Sequence, residues 1–167
     1  MGLGIKEPLG GVELEYVGTT LPVGFVTGDR VTGKDGAVYR LVKNSLGSTA
    51  TLRLAYIIRL NATSGELELA AQGDDALVGC VGIPQFASVA TGNYFWVGVG
   101  GILRATSAAA IAANAQVSLS ATDGKLDDLA ITGKFLNAFL NSSAAVSAAD
   151  VNIGIYCAGE LFYGASN

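Results

Sequence analysis

Residues 94–126 read YFWVGVGGILRATSAAAIAANAQVSLSATDGKL. The stretch opens on Tyr94, Phe95 and Trp96, the one tryptophan of the chain, and runs through Val97 and Val99 to Ile102 and Leu103. Aromatic and β-branched residues at this density suit a pleated, half-buried surface better than a helix. Gly98, Gly100 and Gly101 interrupt the run. Glycine inside a strand marks a bulge, a sharp bend or a second backbone passing close by. A small polar loop is expected at Arg104–Ser107, then an Ala-rich connection. That connection is either a short helical turn or an extended loop: alanine favours helix and Ser107 can cap one, but so short a run is marginal alone and Asn114 suits a left-handed turn. Val117–Ala121 alternates with period two, and Asp123-Gly124 supplies a hairpin-type turn. The unit is architectural and carries no evident catalytic group.

Working outward toward the N-terminus, Gly33-Lys-Asp-Gly leads into Ala37-Val-Tyr-Arg-Leu-Val-Lys, a hairpin whose second strand puts Val38, Arg40 and Val42 on one face and Ala37, Tyr39, Leu41 and Lys43 on the other. Val12–Val17 alternates apolar and acidic and reads as a strand, Gly18–Pro22 as a turn, and Val23–Val31 as a strand broken by Gly24 and Gly28. Residues 1–11 hold four glycines and one proline with little periodicity, so residues 1–20 read as an extended arm and 21–167 as the β domain. Thr51–Leu60 reads as a central strand, Asn61–Gly65 as a turn, Glu66–Ala71 as a short helix or strand, and Ala76–Ile83 as a buried strand stopped by Pro84. Gly73-Asp74-Asp75 marks a loop and the most plausible internal subdivision, near 73–76. Beyond the opening stretch, Leu126–Ile131 reads as a strand edge, Lys134–Asn141 as strand despite its helix-like spacing of Phe135, Leu136, Phe139 and Leu140, and Val151–Tyr163 as one long strand. Eight to ten short strands with glycine punctuation imply an all-β fold: a small antiparallel β-sandwich or barrel with a Gly-rich N-terminal arm.

Composition bounds what such a body does. Of 167 residues, half are hydrophobic and 14% are charged, where an ordinary soluble domain carries roughly a quarter. Little charge is left to cover a lone subunit, which points to burial against copies of itself or against a partner. Membrane insertion is disfavoured, because no run of about 18 apolar residues lacks Gly, Ser and charge, and MGLGIKEPLG does not read as a signal peptide. Sixteen of the 24 charged residues precede position 84, so the C-terminal half is the greasier one and the expected self-association surface. No Lys/Arg cluster with interleaved aromatics suggests a nucleic-acid groove. Cys80 and Cys157 are far apart without a CxxC motif, and read either as two buried free thiols, the expected state, or as a disulfide between them.

Candidate chemistry is sparse. The chain has no histidine, which removes Ser-His-Asp, Cys-His and His-metal sites from within one chain. Asp74-Asp75 and Asp127-Asp128 are adjacent carboxylates, and neighbours on a strand point to opposite faces, so solvated turn acids are a better reading than a calcium loop. Gly82, Gly98 and Gly100 lack the strand-GxxxxGK[ST]-helix context of a phosphate loop. Asn61-Ala62-Thr63 matches the N-glycosylation pattern, which has no weight without a secretory signal. Arg53 and Arg59 are either solvent-facing and paired with Glu66 and Glu68, or a charged contact to a partner protein. Tyr94 and Trp96 are either core and interface residues or a sugar-stacking platform. No cofactor and no metal is implied.

Two stretches carry a resemblance. Gly33-Lys-Asp-Gly-Ala-Val-Tyr-Arg-Leu-Val-Lys is similar to the "DG-x-x-Y/F-R-x-V-K" hairpin near the start of small structural proteins of tailed phages. Gly92-Asn-Tyr-Phe-Trp-Val-Gly-Val-Gly-Gly, Ala112-Ala-Asn-Ala-Gln-Val and Ala121-Thr-Asp-Gly-Lys-Leu resemble the "G-x-Y-x-W-V-x-x-x-G", "AA-G-x-x-V" and "T-x-G-K-L" segments of phage head decoration (capsid cement) proteins, with Asn114 where glycine is usual. The resemblance implies a non-enzymatic β protein, commonly a trimer, on the outer surface of the capsid and bound to the major capsid protein, with synthesis in the host cytoplasm. Leu3, Ile5 and Leu9 of the arm, together with Tyr94, Trp96, Arg53 and Arg59, are the expected partner or oligomer contacts. The rival readings are a tail or baseplate protein, a glycan-binding adhesin module, and a small cell-wall hydrolase.

Overall fold

The structure is a computed structural model that describes residues 12–73, 79–121, 123–128, 134–142 and 144–165. It is all-β. Thirteen strands are described: β1 (Val17–Gly18), β2 (Arg30–Thr32), β3 (Val38–Asn44), β4 (Tyr56–Leu60), β5 (Leu67–Gln72), β6 (Gly79–Pro84), β7 (Tyr94–Thr106), β8 (Gln116–Leu119), β9 (Leu126–Asp127), β10 (Lys134–Leu136), β11 (Ala138–Leu140), β12 (Asn152–Glu160) and β13 (Phe162–Ala165).

Five of them close a ring in the order β3, β7, β6, β4, β5 and back to β3. All but one of these pairs are antiparallel. The exception is β3 with β5, where Lys43 faces Glu68 and Asn44 faces Leu69 in parallel; this departs from the antiparallel sheet expected. The cause is local. β4 forms its hairpin with β5 instead of β3, so β5 returns in the direction of β3 and closes the ring. Inside lie Val42, Tyr56, Ile58, Leu69, Phe95, Val97 and Val99, one buried cluster. Gly82 is the barrel's small inward position: a Cβ there would stand 2.7 Å from Ile58 and 2.8 Å from Val97. One end is plugged by buried Asn44, whose side-chain nitrogen donates to the Val89 carbonyl (2.8 Å) and whose oxygen accepts from Leu46 N (3.0 Å).

The outer wall of the barrel packs on a second layer. Leu41, Ile57, Val81, Ile83 and Trp96 from the wall join Leu103, Ala105, Val117, Leu119, Ala138, Leu140, Ile153 and Ile155 in one larger cluster. β7 belongs to both layers, and the glycines explain how. Along β3, Val38 faces Gly100 but the next residue, Tyr39, faces Gly98. Along β12, Cys157 faces Gly101 and Glu160 faces Gly100. These irregularities flip the phase of the strand. Before them Phe95, Val97 and Val99 point into the barrel; after them Leu103 and Ala105 point into the second cluster. Gly101 has φ 78°, and a Cβ on Gly100 would collide with the Gly159 carbonyl oxygen.

The motif loops set the layers against each other. Asn114 has φ 54° and Gly124 φ 71°, the left-handed conformations expected of them. Gly124 accepts from Ala55 N (2.8 Å), and Ala55 accepts from Gly73 N (2.8 Å), so this turn docks against the barrel. The Ala-rich connection is extended, and Ser107, far from capping a helix, accepts from Val151 N and donates to Ala148 O.

Several expected boundaries move. Arg104–Thr106 is strand, not loop, because Asn152, Ile153 and Gly154 pair with it. Val12–Val17 is mostly a turn, with Tyr16 N donating to Glu13 O (3.2 Å), and only Val17 and Gly18 pair, with Phe95 and Tyr94. Val23–Val31 is held in turns by Gly24 (φ 84°) and Gly28 (φ 97°), with strand from Arg30 on. Thr51–Leu54 turns through Arg53 (φ 66°), leaving Tyr56–Leu60 as strand. Val151–Tyr163 is two strands separated at Leu161, whose N–H donates to Val99 O. The expected loop acids Asp74-Asp75 and most of Leu126–Ile131 beyond β9 lie outside the described residues. Around Gly73, β4 carries β5 on one edge and β6 on the other.

If the Gly100 position admits no side chain, Gly100→Ala should cost about 1–3 kcal/mol by chemical denaturation, the usual penalty of overpacking. Gly47→Ala, at a site with nothing within 4 Å, should stay within about 0.5 kcal/mol of the parent.

Candidate interaction surfaces

Leu3, Ile5 and Leu9 lie outside the described residues. The chain enters the described body at Val12, which packs on the larger cluster, and Leu14 is fully inside it. Of the expected 1–20 arm, residues 14–18 are therefore anchored.

Trp96 is 1% exposed, and its ring meets Phe25 edge-on at 5.4 Å and 85°. It offers no ring face to a sugar, which fits the core reading of Trp96 and rules out the rival stacking platform. The even positions Tyr94 and Trp96 point to the barrel's packed outer wall, as strand alternation dictates. Tyr94 is nearly buried as well. Its hydroxyl donates to Glu66 Oε1 (2.5 Å), Lys43 Nζ reaches Glu66 Oε2 (3.1 Å), and the same ammonium lies 5.2 Å from the Tyr94 ring centre. The Tyr94 hydroxyl, then Lys43, hold the Glu66 carboxyl below its ordinary range, while Glu66 raises both Lys43 and Tyr94. A carboxylate so fully engaged is a tie between β3, β7 and the start of β5, not a free acid or base.

Arg53 and Arg59 do not come together with these residues. Arg53 works through its backbone: its N–H donates to Pro84 O (2.9 Å) and its carbonyl accepts from Thr106 N (3.0 Å), and its side-chain Nε is buried without a hydrogen-bond partner. Arg59 is exposed on β4 opposite Glu68. Glu68 in turn accepts two bonds of 3.1 Å from Asn61, and Glu66 is held by Lys43 and Tyr94.

Three surface features were not singled out in the sequence. The first is the barrel's other end, where Ile58, Leu60, Leu67, Cys80 and Val99 line a cavity of about 190 Å³. Glu160 closes its rim, accepting from Arg40 (2.6 Å) and Arg30 (2.7 Å) through one oxygen. Two arginines thus share one carboxylate, and Arg40 Nε is buried without a hydrogen-bond partner. Both cysteines are free, but only Cys157 is buried, with its thiol pushed up by burial; Cys80 is exposed, because it takes an inward position where the barrel opens.

The second is the loop at 21–26. Phe25 is tucked against Trp96, Phe25 N donates to Pro22 O (3.2 Å) and Val26 N to Asp29 Oδ2 (2.9 Å). This holds Val23 out at 98% exposure and Val26 at 61%.

The third is a row across the second layer. Ile102 faces Tyr156, Tyr156 faces Phe139, and Phe139 faces Gln116 on β7, β12, β11 and β8. Their strand neighbours Leu103, Ile155, Leu140 and Val117 point into the core, so the row points out: Ile102, Tyr156 and Phe139 are 52%, 46% and 50% exposed. The signal for this row was the alternation within Val151–Tyr163 once its register was known.

Among the described residues no three His, Cys, Asp or Glu side chains are grouped as a metal site would need. Asp128 instead accepts from Ala112 N (2.6 Å) and Asp127 from Asp128 N (2.7 Å). Comparison with protein-family models, with curated proteins and with solved structures gives no match.

Two outcomes follow. Because Glu66 titrates below its ordinary range in the folded chain, its ties stabilise above that range and are lost as pH falls through the lowered value. Glu66→Gln should therefore melt below the parent at about pH 7, with the gap closing toward about pH 3. Trp96 emission should resist iodide quenching and ignore added glycans; strong quenching would place the ring at the surface.

Proposed function

We propose that the chain is a non-enzymatic structural protein of a tailed-phage virion, one that binds the outside of the capsid and cements neighbouring major capsid protein subunits. The single observation that carries this beyond the resemblance is apolar exposure on a rigid body. Val23 and Val26 are held outward by a hydrogen-bonded loop, and Ile102, Tyr156 and Phe139 stand outward on paired strands. Exposed large side chains that stand next to one another, as Ile102, Tyr156 and Phe139 do, mark interaction sites.

The residues that carry the resemblance are also those that build the barrel and dock its second layer. The Gly33–Lys43 hairpin pairs with Tyr94–Gly100, and the Asp123-Gly124 turn seats against Ala55. A capsid under outward pressure from packed DNA is reinforced by spreading many weak contacts over several subunits, for which a stiff barrel with apolar projections is suited. Residues 1–11 are the segment proposed to reach across to the capsid protein by strand addition or lateral contact.

The test mixes the purified chain with expanded, undecorated tailed-phage heads and follows co-sedimentation. Binding at saturable stoichiometry is expected, with loss of binding when residues 1–11 are removed and full retention of the chain's own oligomer. A chain that ignores heads at every concentration sinks the reading. Removing all of 1–20 is not equivalent, since it also takes out buried Leu14 and the paired Val17 and Gly18.

A further inference from the structure

We propose that the outward face of β8, β11, β12 and β7 is where one copy of this chain meets the next. The inference rests on the structural-protein reading and names the partner of one of its two apolar surfaces.

Three observations bear on a second copy as the occupant. The first is area. Four adjacent strands span roughly 15–20 Å at about 4.8 Å spacing, and the nine residues of β12 run roughly 30 Å. Because β8 and β11 hold only four and three residues, the footprint is roughly 300 Å², below the roughly 800 Å² that each partner gives to a standard interface and of the size of a weak, reversible contact.

The second is charge. The chain carries a net −4, so copies repel unless they meet through a face poor in acids. Across the registered stretch the outward side chains are Ile102, Arg104, Thr106, Asn152, Tyr156, Phe139 and Gln116, with Gly154 between them. Arg104 is the one charge among them. Asp35 shares with Arg104 the wall of a depression of about 300 Å³ beside Ile102, but its carboxylate already accepts from Ala37 N (3.0 Å) and the Tyr39 hydroxyl (2.8 Å), so Arg104 is the charge this face offers.

The third is shape. A second depression, of about 310 Å³, opens over Gly154 between Ile102, Arg104, Leu140 and Asn141. Gly154 lies on its lining, where nothing inside the chain requires a glycine: a Cβ there would meet Asn141 at an ordinary 3.9 Å, and its backbone is not in the left-handed region. A row of aromatic projections beside a hollow the fold does not need is the relief of a contact in which one copy's side chains enter the other's hollow.

Gly154 also makes the test clean. Gly154→Arg projects into the hollow from a position where a Cβ meets nothing closer than 3.9 Å. Sedimentation velocity and light scattering on the full chain should show the parent as an oligomer and the Gly154→Arg protein dissociating about tenfold or more readily, with unchanged circular dichroism and Trp96 emission. Phe139→Ser, at an exposed position, should do the same and serves if the arginine variant fails to fold. An oligomer unaffected by either substitution overturns the assignment of this face, as does a parent that is monomeric throughout. Head co-sedimentation is scored separately: a parent that binds heads while its oligomer ignores both substitutions leaves the cement reading standing and this inference refuted.

Discussion

The molecule depends on a steric constraint at Gly100 and Gly101. One strand has to serve as a stave of a closed barrel and then as the central strand of a second sheet, and these two duties need opposite side-chain phases. Two glycines meet that demand by letting the Gly159 carbonyl and the Gly36–Ala37 backbone approach where any Cβ would stand. Without the break in phase, Leu103 and Ala105 would turn to solvent and Ile102 and Arg104 into the core. The two buried clusters, the exposed row and the position of Glu160 at the barrel rim all follow from that slip in register.

The scarce charges are placed where the layers need fastening. Glu66 joins β3 to β7, Glu160 joins β2 and β3 to the end of β12, and Lys125 reaches Asp150 across the second layer (2.5 Å). Charges engaged in this way leave the outer sheet face to apolar and neutral side chains, with Arg104 the charge among them. Low charge in the composition thus becomes, through the topology, an outer sheet face with large apolar side chains exposed.

Much of the fold was legible because its signals are local. Glycine and Asp-Gly punctuation, Asn114 in a left-handed turn, and the alternation of Ala37–Lys43 each depend on a few neighbouring residues, and each holds: Leu41 and Val42 do fall in different clusters. What was not legible depends on pairing at a distance. Arg104–Thr106 looks like a polar loop until Asn152–Gly154 is laid beside it, and Val23–Val31 looks like a strand until its glycines take positive φ. The parallel β3–β5 pair has no local signature at all. The candidate contacts fared according to the same rule. Aromatic composition marked Tyr94 and Trp96 as important but could not say which side of the sheet they faced, and the row of Ile102, Tyr156 and Phe139 comes from three separated segments that only the register brings together.

The double duty of β7 also orders events in time. Every stave of the barrel lies between residues 38 and 100, so the ring can close from sequence that a ribosome has already released. The far half of β7 then waits, its edge unpaired and Leu103 and Ala105 uncovered, for β12 to arrive some fifty residues later. Such a nascent edge attracts any passing strand. The second sheet therefore depends on the latest part of the chain to be made, and Leu103 and Ala105 are covered only by strands that lie far downstream of β7.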